Sequence, residues 1–301
     1  MISGLLYVDK PAGISSHDVV GVVRRAARSR RVGHAGTLDP FATGLLVIAI
    51  GPCTRLLPYI VGEPKCYEAT IAFGTETDTD DRTGTVVRTA PAPDAAVLRD
   101  PQHGDRLAAE QQLTGQIAQV PPAYSAKHVG GQRAYDLARK GREVTLAPVM
   151  VHVMGWEWCG ATDSTLEVRI TCGGGTYIRA LARDLGRALG SAAHCQALRR
   201  VSSGPAHVQD AVPYTALAPG AIADGTVTLR SPLEALGSVA RESLDDTDLI
   251  DLRHGRPVRA RHEGEQAAFL RGTEVIGMGR RNAAGRWQPT VVLLGAEEAA
   301  S

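Results

Sequence analysis

A glycine-rich loop that leads into an apolar segment places the strongest constraint on how this chain folds. The loop carries three glycines, one carboxylate, one histidine and one proline, in the order Gly33-His34-Ala35-Gly36-Thr37-Leu38-Asp39-Pro40-Phe41-Ala42-Thr43-Gly44. Glycine permits positive φ angles, and a residue before proline is biased towards an extended backbone. We therefore predict a shaped loop that gives Asp39 a defined backbone and enters a buried strand at residues 45–50. From the residues alone, an isolated aspartate before proline is favoured as a turn former.

The basic residues are clustered, although the formal net charge is only +1. Five arginines lie within residues 24–31, at the end of a helix predicted to begin near Ser15 and Ser16. These arginines are suited either to a phosphate backbone or to the C-terminus of that helix, and both interpretations stay open. A second basic patch spans residues 127–142, and residues 253–286 hold eight arginines against three glutamates.

Neither a membrane segment nor a metal site is expected. The start of the chain lacks a signal sequence, and no apolar run approaches membrane-spanning length, so we expect a cytoplasmic protein. The five cysteines have no paired short spacing and are expected to be reduced thiols, and the nine histidines show no metal-binding spacing.

The remaining pattern predicts a chain of mixed helices and strands followed by a small basic β-rich module. At 301 residues with 44% hydrophobic content, the chain is long enough for two domains. The predicted elements are strands at residues 4–10, 65–73, 149–158 and 165–171, the last two as an antiparallel pair, helices at 107–113 and 177–189, an irregular surface connection at 89–105, and a linker at 204–225.

Two short segments each allow a functional and a structural interpretation. The acidic stretch 74–84 invites a calcium-loop interpretation, but it lacks the EF-hand spacing, so a solvated turn is predicted. The glycine-rich turn 173–176 precedes a helix and could cradle phosphate, but the P-loop lysine is absent, so Thr176 is predicted to be an N-cap.

The candidates for a polar site are Asp39, Tyr67, Tyr177 and Arg179. No Ser-His-Asp signature is present, and no second carboxylate is partnered with Asp39 for glycosidase-type chemistry. For both tyrosines, packing in the core is the favoured interpretation of the residues alone.

The glycine-rich loop closely resembles the signature loop of the bacterial tRNA pseudouridine-55 synthases. Further motifs of that family are matched in the family's order, so that the resemblance extends over residues 8–200. They are Val8-Asp9-Lys10-Pro11 with Gly13, Ser15, Ser16 and Asp18, Lys65-Cys66-Tyr67 with Gly74-Thr75 and Thr77-Asp78-Thr79-Asp80, Pro121-Pro122 with Tyr124-Ser125-Ala126-Lys127 and Arg133-Ala134-Tyr135, Gly175-Thr176-Tyr177-Ile178-Arg179, and Leu198-Arg199-Arg200. This sequence departs from the common family pattern at Ala35, Arg55 and Cys66.

The resemblance implies an α+β fold with two domains. Residues 1–225 would form a catalytic domain of pseudouridine-synthase type on a mixed, mainly antiparallel sheet, with a mobile RNA-binding insertion at about residues 124–148. Residues 226–301 would form a β-rich module similar to the PUA RNA-binding fold.

The resemblance also implies an isomerase that converts uridine 55 in the TΨC stem-loop of tRNA to pseudouridine by base flipping. Asp39 is then the reacting carboxylate, by direct attack on C1′ or by a glycal-type route, Arg179 its partner, and Tyr67 the residue that stacks on the uracil. The implied substrate-binding residues are His34, Asp18, Tyr177, Leu198, Arg55, Lys127, Arg24 and Arg25. No cofactor or metal is implied. The implied partner is tRNA, through its stem-loop and acceptor end, with no membrane and no guide RNA, and the implied state is a monomer.

Two alternatives to this interpretation remain. A non-catalytic RNA-binding or RNA-folding protein would keep the fold and the basic surfaces but show no turnover. A guide-RNA-dependent pseudouridine synthase subunit is the second alternative, although the polar insertion at residues 127–142 is more similar to the stand-alone enzymes.

Overall fold

A computed structural model describes residues 2–60, 62–124, 128–129, 132–133 and 146–293 of the chain. The chain divides into two compact units. The first unit comprises Met1–Pro40, Leu45–Gly62 and Gly204–Ser301, and the second comprises Phe41–Gly44 and Glu63–Ser203.

Strands predominate over helices in the described part of the chain. The strands are β1 Gly4–Lys10, β2 Val32–Ala35, β3 Thr43–Ile50, β4 Lys65–Phe73, β5 Thr75–Thr77, β6 Val86–Thr89, β7 Gly115–Gln119, β8 His128–Val129, β9 Gln132–Arg133, β10 Val149–Ala161, β11 Thr165–Cys172, β12 Ala193–Ser203, β13 Ala206–His207, β14 Val212–Pro213, β15 Ala240–Ser243, β16 Gln266–Arg271, β17 Glu274–Arg281 and β18 Trp287–Val292. The α-helices are α1 Ser16–Ala26, α2 Ala95–Arg99, α3 Gly104–Gln112, α4 Ile178–Ala188 and α5 Asp246–Arg253. Short 3-10 helices span Gly51–Leu56, Val208–Asp210, Tyr214–Ala216 and Pro232–Ala235.

In the first unit, β1 lies between β14, to which it is parallel, and β3, and β2 pairs antiparallel with β3. Helix α1 begins at the N-cap Ser15, whose side chain accepts the Asp18 N–H while the Asp18 carboxylate accepts the Ser15 N–H, a reciprocal capping box. Val19, Val20, Val23 and Ala26 of α1 lie at helical spacing and are buried on one face.

A small four-stranded sheet in the first unit is buried on both faces. Its order is β15-β16-β17-β18, with β15 and β16 parallel and the other pairs antiparallel. Successive side chains of a strand point to opposite faces. Ala267 and Phe269 pack with Trp287 and the apolar residues of α5, whereas Ala268 and Leu270 pack into a cluster that contains residues of β1 and β3.

The second unit is built on the sheet β12-β4-β11-β10-β7, in which every neighbouring pair is antiparallel. Thr43 and Gly44, at the start of β3, pair parallel with Arg199 and Arg200 of β12. The predicted mixed, mainly antiparallel sheet and the predicted small β-rich module near the C-terminus are therefore confirmed. The boundary between residues 225 and 226 and the similarity to PUA domains stay predictions.

Four sequence-based expectations differ from the structure. The acidic stretch 74–84 is not a solvated turn, because Glu76, Asp80 and Asp81 are buried. The connection 89–105 contains α2, which Asp94 caps. The N-cap of α4 is Tyr177 rather than Thr176, whose hydroxyl donates to the Gly173 carbonyl. The linker at 204–225 contains β13 and β14, because β1 offers β14 a free edge for parallel pairing.

No α-helix in the described residues is long and apolar enough to cross a membrane. The five cysteines are free thiols. Most of the predicted insertion at about residues 124–148 lies outside the described residues. The described part includes the antiparallel pair of β8 and β9.

Candidate active site

The backbone around Asp39 is fixed on both sides within the first unit. The Ser16 hydroxyl accepts the Leu38 N–H at 2.8 Å and donates to the Leu38 carbonyl at 3.0 Å. On the other side, the Gly13 N–H donates to the Pro40 carbonyl at 2.8 Å. Asp39 itself is half-buried between these anchors. The defined backbone predicted for Asp39 is thus explained by hydrogen bonds to residues of the N-terminal motif.

A fully buried lysine, Lys10, supports the same loop. Its ammonium group donates to the carbonyls of Pro11 at 2.9 Å, Ile14 at 2.8 Å and Pro40 at 3.3 Å. A buried cation is costly unless its donors are satisfied, and these carbonyls are part of its compensation. Lys10 therefore ties the turn after β1 to the residue that follows Asp39.

In the second unit, Gly44 occupies a position that no larger residue fits. Its φ is +99°, and a Cβ atom there would lie 2.3 Å from the Arg200 carbonyl oxygen. The close approach is the parallel pairing of β3 with β12, the strand that also carries Leu198. The last glycine of the loop is therefore required by backbone contact with β12.

Tyr67 lies on β4, the strand between β11 and β12, and pairs in register with Ile170 on one side and Arg200 on the other. Its side chain is buried, as is that of Leu198 on β12. The central strand thus fixes the backbone that presents the tyrosine.

Arg179 is buried in the first turn of α4 and is held by two chain segments of the second unit. Its guanidinium donates to the Thr79 carbonyl at 2.6 Å and to the Tyr124 carbonyl at 3.1 Å, and it lies 3.4 Å from the Asp81 carboxylate. Asp81 is the partner that sequence reasoning missed. The acidic stretch 74–84 and Arg179 are both visible in the sequence, but no local pattern pairs them.

The N-terminus of α4 is also fixed through Tyr177. The side-chain amide of the buried Gln119 accepts the Tyr177 N–H at 2.9 Å and donates to the Tyr177 carbonyl at 3.1 Å. The Glu63 carboxylate accepts the Gly174 N–H at 2.8 Å and anchors the preceding turn. Because the Gly174 N–H of this turn already donates to a protein carboxylate, the structure does not favour the phosphate cradle considered above.

Two further arginines of α4 bind the remaining buried carboxylates. Arg183 donates to Asp80 at 2.8 Å, and Arg187 binds Glu76 through two hydrogen bonds of 3.0 and 2.7 Å. Burial raises the pKa of Asp80 to about 6, against the lowering effect of Arg183 and Arg179. Burial also opposes ionisation of Glu76, but hydrogen bonds from Arg187 and Arg88 bring its pKa below the usual value.

The remaining candidate RNA-binding residues lie in different settings. Asp18 closes the capping box of α1, and its hydrogen bonds to Ser15 lower its pKa. Arg24 and Arg25 are exposed at the end of α1, and His34 is half-buried on β2. Arg55 is exposed and donates to the Val292 carbonyl at 2.6 Å. Lys127 lies outside the described residues.

The catalytic and substrate-binding residues that the resemblance implies are divided between the units. Asp39 and His34 belong to the first unit, and Tyr67, Tyr177, Arg179 and Leu198 belong to the second. The structure brings Arg179 together with Asp81 and the 79–81 turn, whereas pairing of Arg179 with Asp39 stays a prediction. Among the described residues, no cluster of His, Cys, Asp or Glu side chains is arranged to hold a metal ion.

Comparison with known families gives a consistent result over most of the chain. Residues 24–178 match the N-terminal domain of the TruB family pseudouridylate synthases, and residues 179–236 match the C-terminal domain of tRNA pseudouridylate synthase B. Curated relatives named tRNA pseudouridine synthase B include one from Paracoccus denitrificans, 41% identical over 93% of this chain and 92% of the relative. Another, from Thermobifida fusca, is 42% identical over 98% of this chain and 100% of the relative.

Among solved structures, a chain of a Cbf5-Nop10-Gar1 complex is similar with a TM-score of 0.72. The match covers 99% of this chain and 87% of that one, at 19% identity. A chain of an H/ACA RNP bound to a substrate RNA that contains 2′-deoxyuridine has a TM-score of 0.71 at 18% identity, over 98% of this chain and 86% of that one. At such low identity these two likenesses establish the fold alone.

Proposed function

This chain belongs to the TruB family of pseudouridylate synthases, and we propose that it isomerises uridine 55 in the TΨC stem-loop of tRNA to pseudouridine. The N1–C1′ bond of the uridine breaks, the uracil turns, and a C5–C1′ bond forms. The proton on C5 is lost and N1 ends protonated, so that substrate and product are isomers and no group donor or redox partner is needed. The observation that carries the proposal is the 41% to 46% identity to relatives named tRNA pseudouridine synthase B.

Asp39 is the proposed catalytic carboxylate. It attacks C1′ directly, or it stabilises a cationic sugar and assists removal of the 2′ hydrogen, and both routes need only one carboxylate. A carboxylate in either role must keep one orientation towards the sugar during the reaction. The hydrogen bonds of Ser16, Gly13 and Lys10 to the neighbouring backbone support this role.

Arg179 is proposed to pair with Asp39 and keep it ionised, because a positive charge near a carboxylate favours its charged form. Its own fixed position on α4 supports that role. Tyr67 is proposed to stack on the uracil and to assist loss of the C5 proton, while Tyr177 and Leu198 shape the pocket that retains the detached base.

Flipping uridine out of a folded loop costs a few kcal/mol, which protein contacts with the RNA must supply. We propose that His34 stacks where the base leaves. Asp18, Arg24, Arg25, Arg55 and Lys127 would contact the stem-loop, and the arginines of the small sheet module would contact the acceptor end. Because tRNA is the substrate, we place the protein in the cytoplasm. The family resemblance further implies a monomer that acts without a guide RNA.

The test is release of tritium from C5-labelled uridine 55 in a tRNA transcript, with no other RNA or protein present. We expect turnover by the wild type and none by Asp39→Ala, with tRNA binding retained. Turnover by Asp39→Ala would overturn the role of Asp39. Binding and refolding of tRNA by the wild type without tritium release would instead indicate a non-catalytic RNA-binding protein, and release only after a guide RNA is added would indicate a guided subunit.

A further inference from the structure

Arg183 lies one helical turn after Arg179 and repeats its pattern of contacts. Residues four positions apart lie on the same face of a helix. Arg183 donates to the Asp80 carboxylate at 2.8 Å and to the Val120 carbonyl at 2.9 Å. Arg179 donates to the Thr79 and Tyr124 carbonyls. Each arginine therefore bridges α4 to the same two segments, the turn at residues 79–81 and the extended segment at residues 119–124.

The extended segment has no regular secondary structure of its own after β7 ends at Gln119. Among the described hydrogen bonds, three attach it to α4, which are Gln119 to the Tyr177 backbone, Val120 to Arg183, and Tyr124 to Arg179. The attachment through Val120 lies between the other two in sequence. Loss of Arg183 would free the segment between its two remaining anchors.

The Arg183–Asp80 pair is buried, with side-chain exposures of 9% and 8%. Two hydrogen bonds from Arg183 to the neighbouring Asp184, of 2.9 and 3.2 Å, hold the guanidinium plane. A buried pair held this way defines geometry, because breaking it leaves an uncompensated charge. The position of Asp80 in turn sets that of Thr79 and Asp81, its sequence neighbours, both of which contact Arg179.

We infer that Arg183, through Asp80 and Val120, is a positioning residue that holds Arg179 in place for the isomerisation. The inference rests on the proposed function. The carbonyls of Thr79 and Tyr124 both belong to segments that Arg183 anchors, so their displacement would let the Arg179 guanidinium turn. A displacement of about 1 Å in a group that positions a reaction can cost about a hundredfold in rate.

Arg187 provides a matched control on the same helix. It lies one further turn along α4 and also binds a buried carboxylate, that of Glu76. Its described hydrogen bonds go to Glu76 and not to the turn at 79–81 or the segment at 119–124. Replacing Arg187 therefore removes an ion pair of α4 while both segments that contact Arg179 keep their anchors.

The experiment compares wild type with Arg183→Met, Arg183→Lys and Arg187→Met by single-turnover tritium release from C5-labelled tRNA, with tRNA affinity and thermal unfolding measured for each. We expect Arg183→Met to lower the rate by about 10- to 100-fold, with tRNA affinity changed by less than about threefold. Lysine can reach Asp80 but cannot supply the same fork of donors, so Arg183→Lys should restore part of the rate. Arg187→Met should stay within about threefold of wild type.

A wild-type rate in Arg183→Met, or equal rate losses in Arg183→Met and Arg187→Met, would overturn the inference while leaving the proposed function intact. If Arg183→Met does not fold, Arg183→Lys decides: an intermediate rate at unchanged affinity supports the inference, and a wild-type rate overturns it. Absence of tritium release by the wild type would instead overturn the proposed function.

Discussion

The hydroxyl of Ser16 holds both backbone polar groups of Leu38, accepting its N–H at 2.8 Å and donating to its carbonyl at 3.0 Å. Ser16 is the first residue of α1, and Leu38 immediately precedes Asp39. One side chain thereby connects the start of a helix to the backbone of the proposed catalytic carboxylate. The direction in which Asp39 points thus depends on a residue 23 positions earlier in the sequence.

Replacing Ser16 with alanine should lower the rate of tritium release by more than the accompanying loss of folding stability would cause. The buried N–H and carbonyl of Leu38 would lose their partner, at a cost of about 2 kcal/mol in the free energy of unfolding. We expect the single-turnover rate of tritium release to fall by about tenfold because Asp39 is less well oriented.

Ser15→Ala is the control for this prediction, because Ser15 caps the same helix but does not bond Leu38 in the described contacts. Loss of the cap should cost about 1 kcal/mol in urea unfolding. Its tritium-release rate should stay close to that of wild type. Equal rates for the two variants would show that Ser16 acts through the stability of α1 alone.

Lys10→Met should destabilise the protein and slow the reaction together. Methionine keeps much of the apolar stem but leaves the carbonyls of Pro11, Ile14 and Pro40 without the ammonium donor. We expect a loss of about 3 kcal/mol in the free energy of unfolding, measured by urea denaturation, and a reduced rate of tritium release. Lys10→Arg should not restore the wild type, because a planar guanidinium does not match carbonyls that converge on a point charge. Wild-type stability of Lys10→Met would contradict the structural role.

Much of the fold follows from local sequence patterns, because apolar alternation and helix caps act over a few residues. The alternation in residues 65–73 predicted β4, residues 165–171 were predicted as the strand β11, and Ser15 predicted the start of α1. The glycine-rich loop around Asp39 was likewise predicted to be shaped rather than free. These features depend on the residues' own backbone preferences.

The partners of the buried charges could not be predicted in this way. Asp80 and Arg183 are 103 residues apart, and an acidic, threonine-rich stretch looks locally like a solvated turn. The carboxylates of this stretch are buried because α4 packs against it and supplies their arginine partners. Similarly, nothing in the sequence near Asp39 indicates that Lys10 will donate to the carbonyl of Pro40.

The raised pKa of Asp80 makes the stability of the protein depend on pH in a defined direction. Burial lifts the pKa from 3.8 to about 6, so the folded state binds a proton more tightly than the unfolded state. This contribution to stability is fully present below pH 3.8 and is lost as the pH rises through about 6. Arg183, Arg179, Arg187 and Asp184 are the charged groups that act on Asp80.

Asp80→Asn should remove that pH dependence, because asparagine does not titrate. Between pH 5 and pH 7.5 we expect the stability of the variant relative to wild type to improve by about 1 kcal/mol, measured by urea unfolding at each pH. Asp163→Asn, at an exposed carboxylate of the same unit, is the control and should show no comparable change. A stability difference between Asp80→Asn and wild type that is constant over this range would contradict the raised pKa.

The fully buried carboxylate of Glu242 should be a main determinant of stability in the small sheet module. It accepts hydrogen bonds from the backbone N–H of Arg261 and from the Trp287 indole, each at 2.9 Å, and from the guanidinium of Arg261 at 3.2 Å. Burial opposes its ionisation, but these donors bring its pKa below the usual value, so it is charged at neutral pH. Glu242→Gln would place an amide N–H₂ among donors, and we expect a loss of about 3 kcal/mol in the free energy of unfolding. Urea unfolding followed by tryptophan fluorescence measures this loss, since Trp287 is in direct contact with the substituted group. Glu274→Gln, at an exposed position of β17, is the control and should unfold at the same urea concentration as wild type. Equal midpoints for the two variants would show that the buried carboxylate is not needed to hold Trp287 and Arg261 in the module.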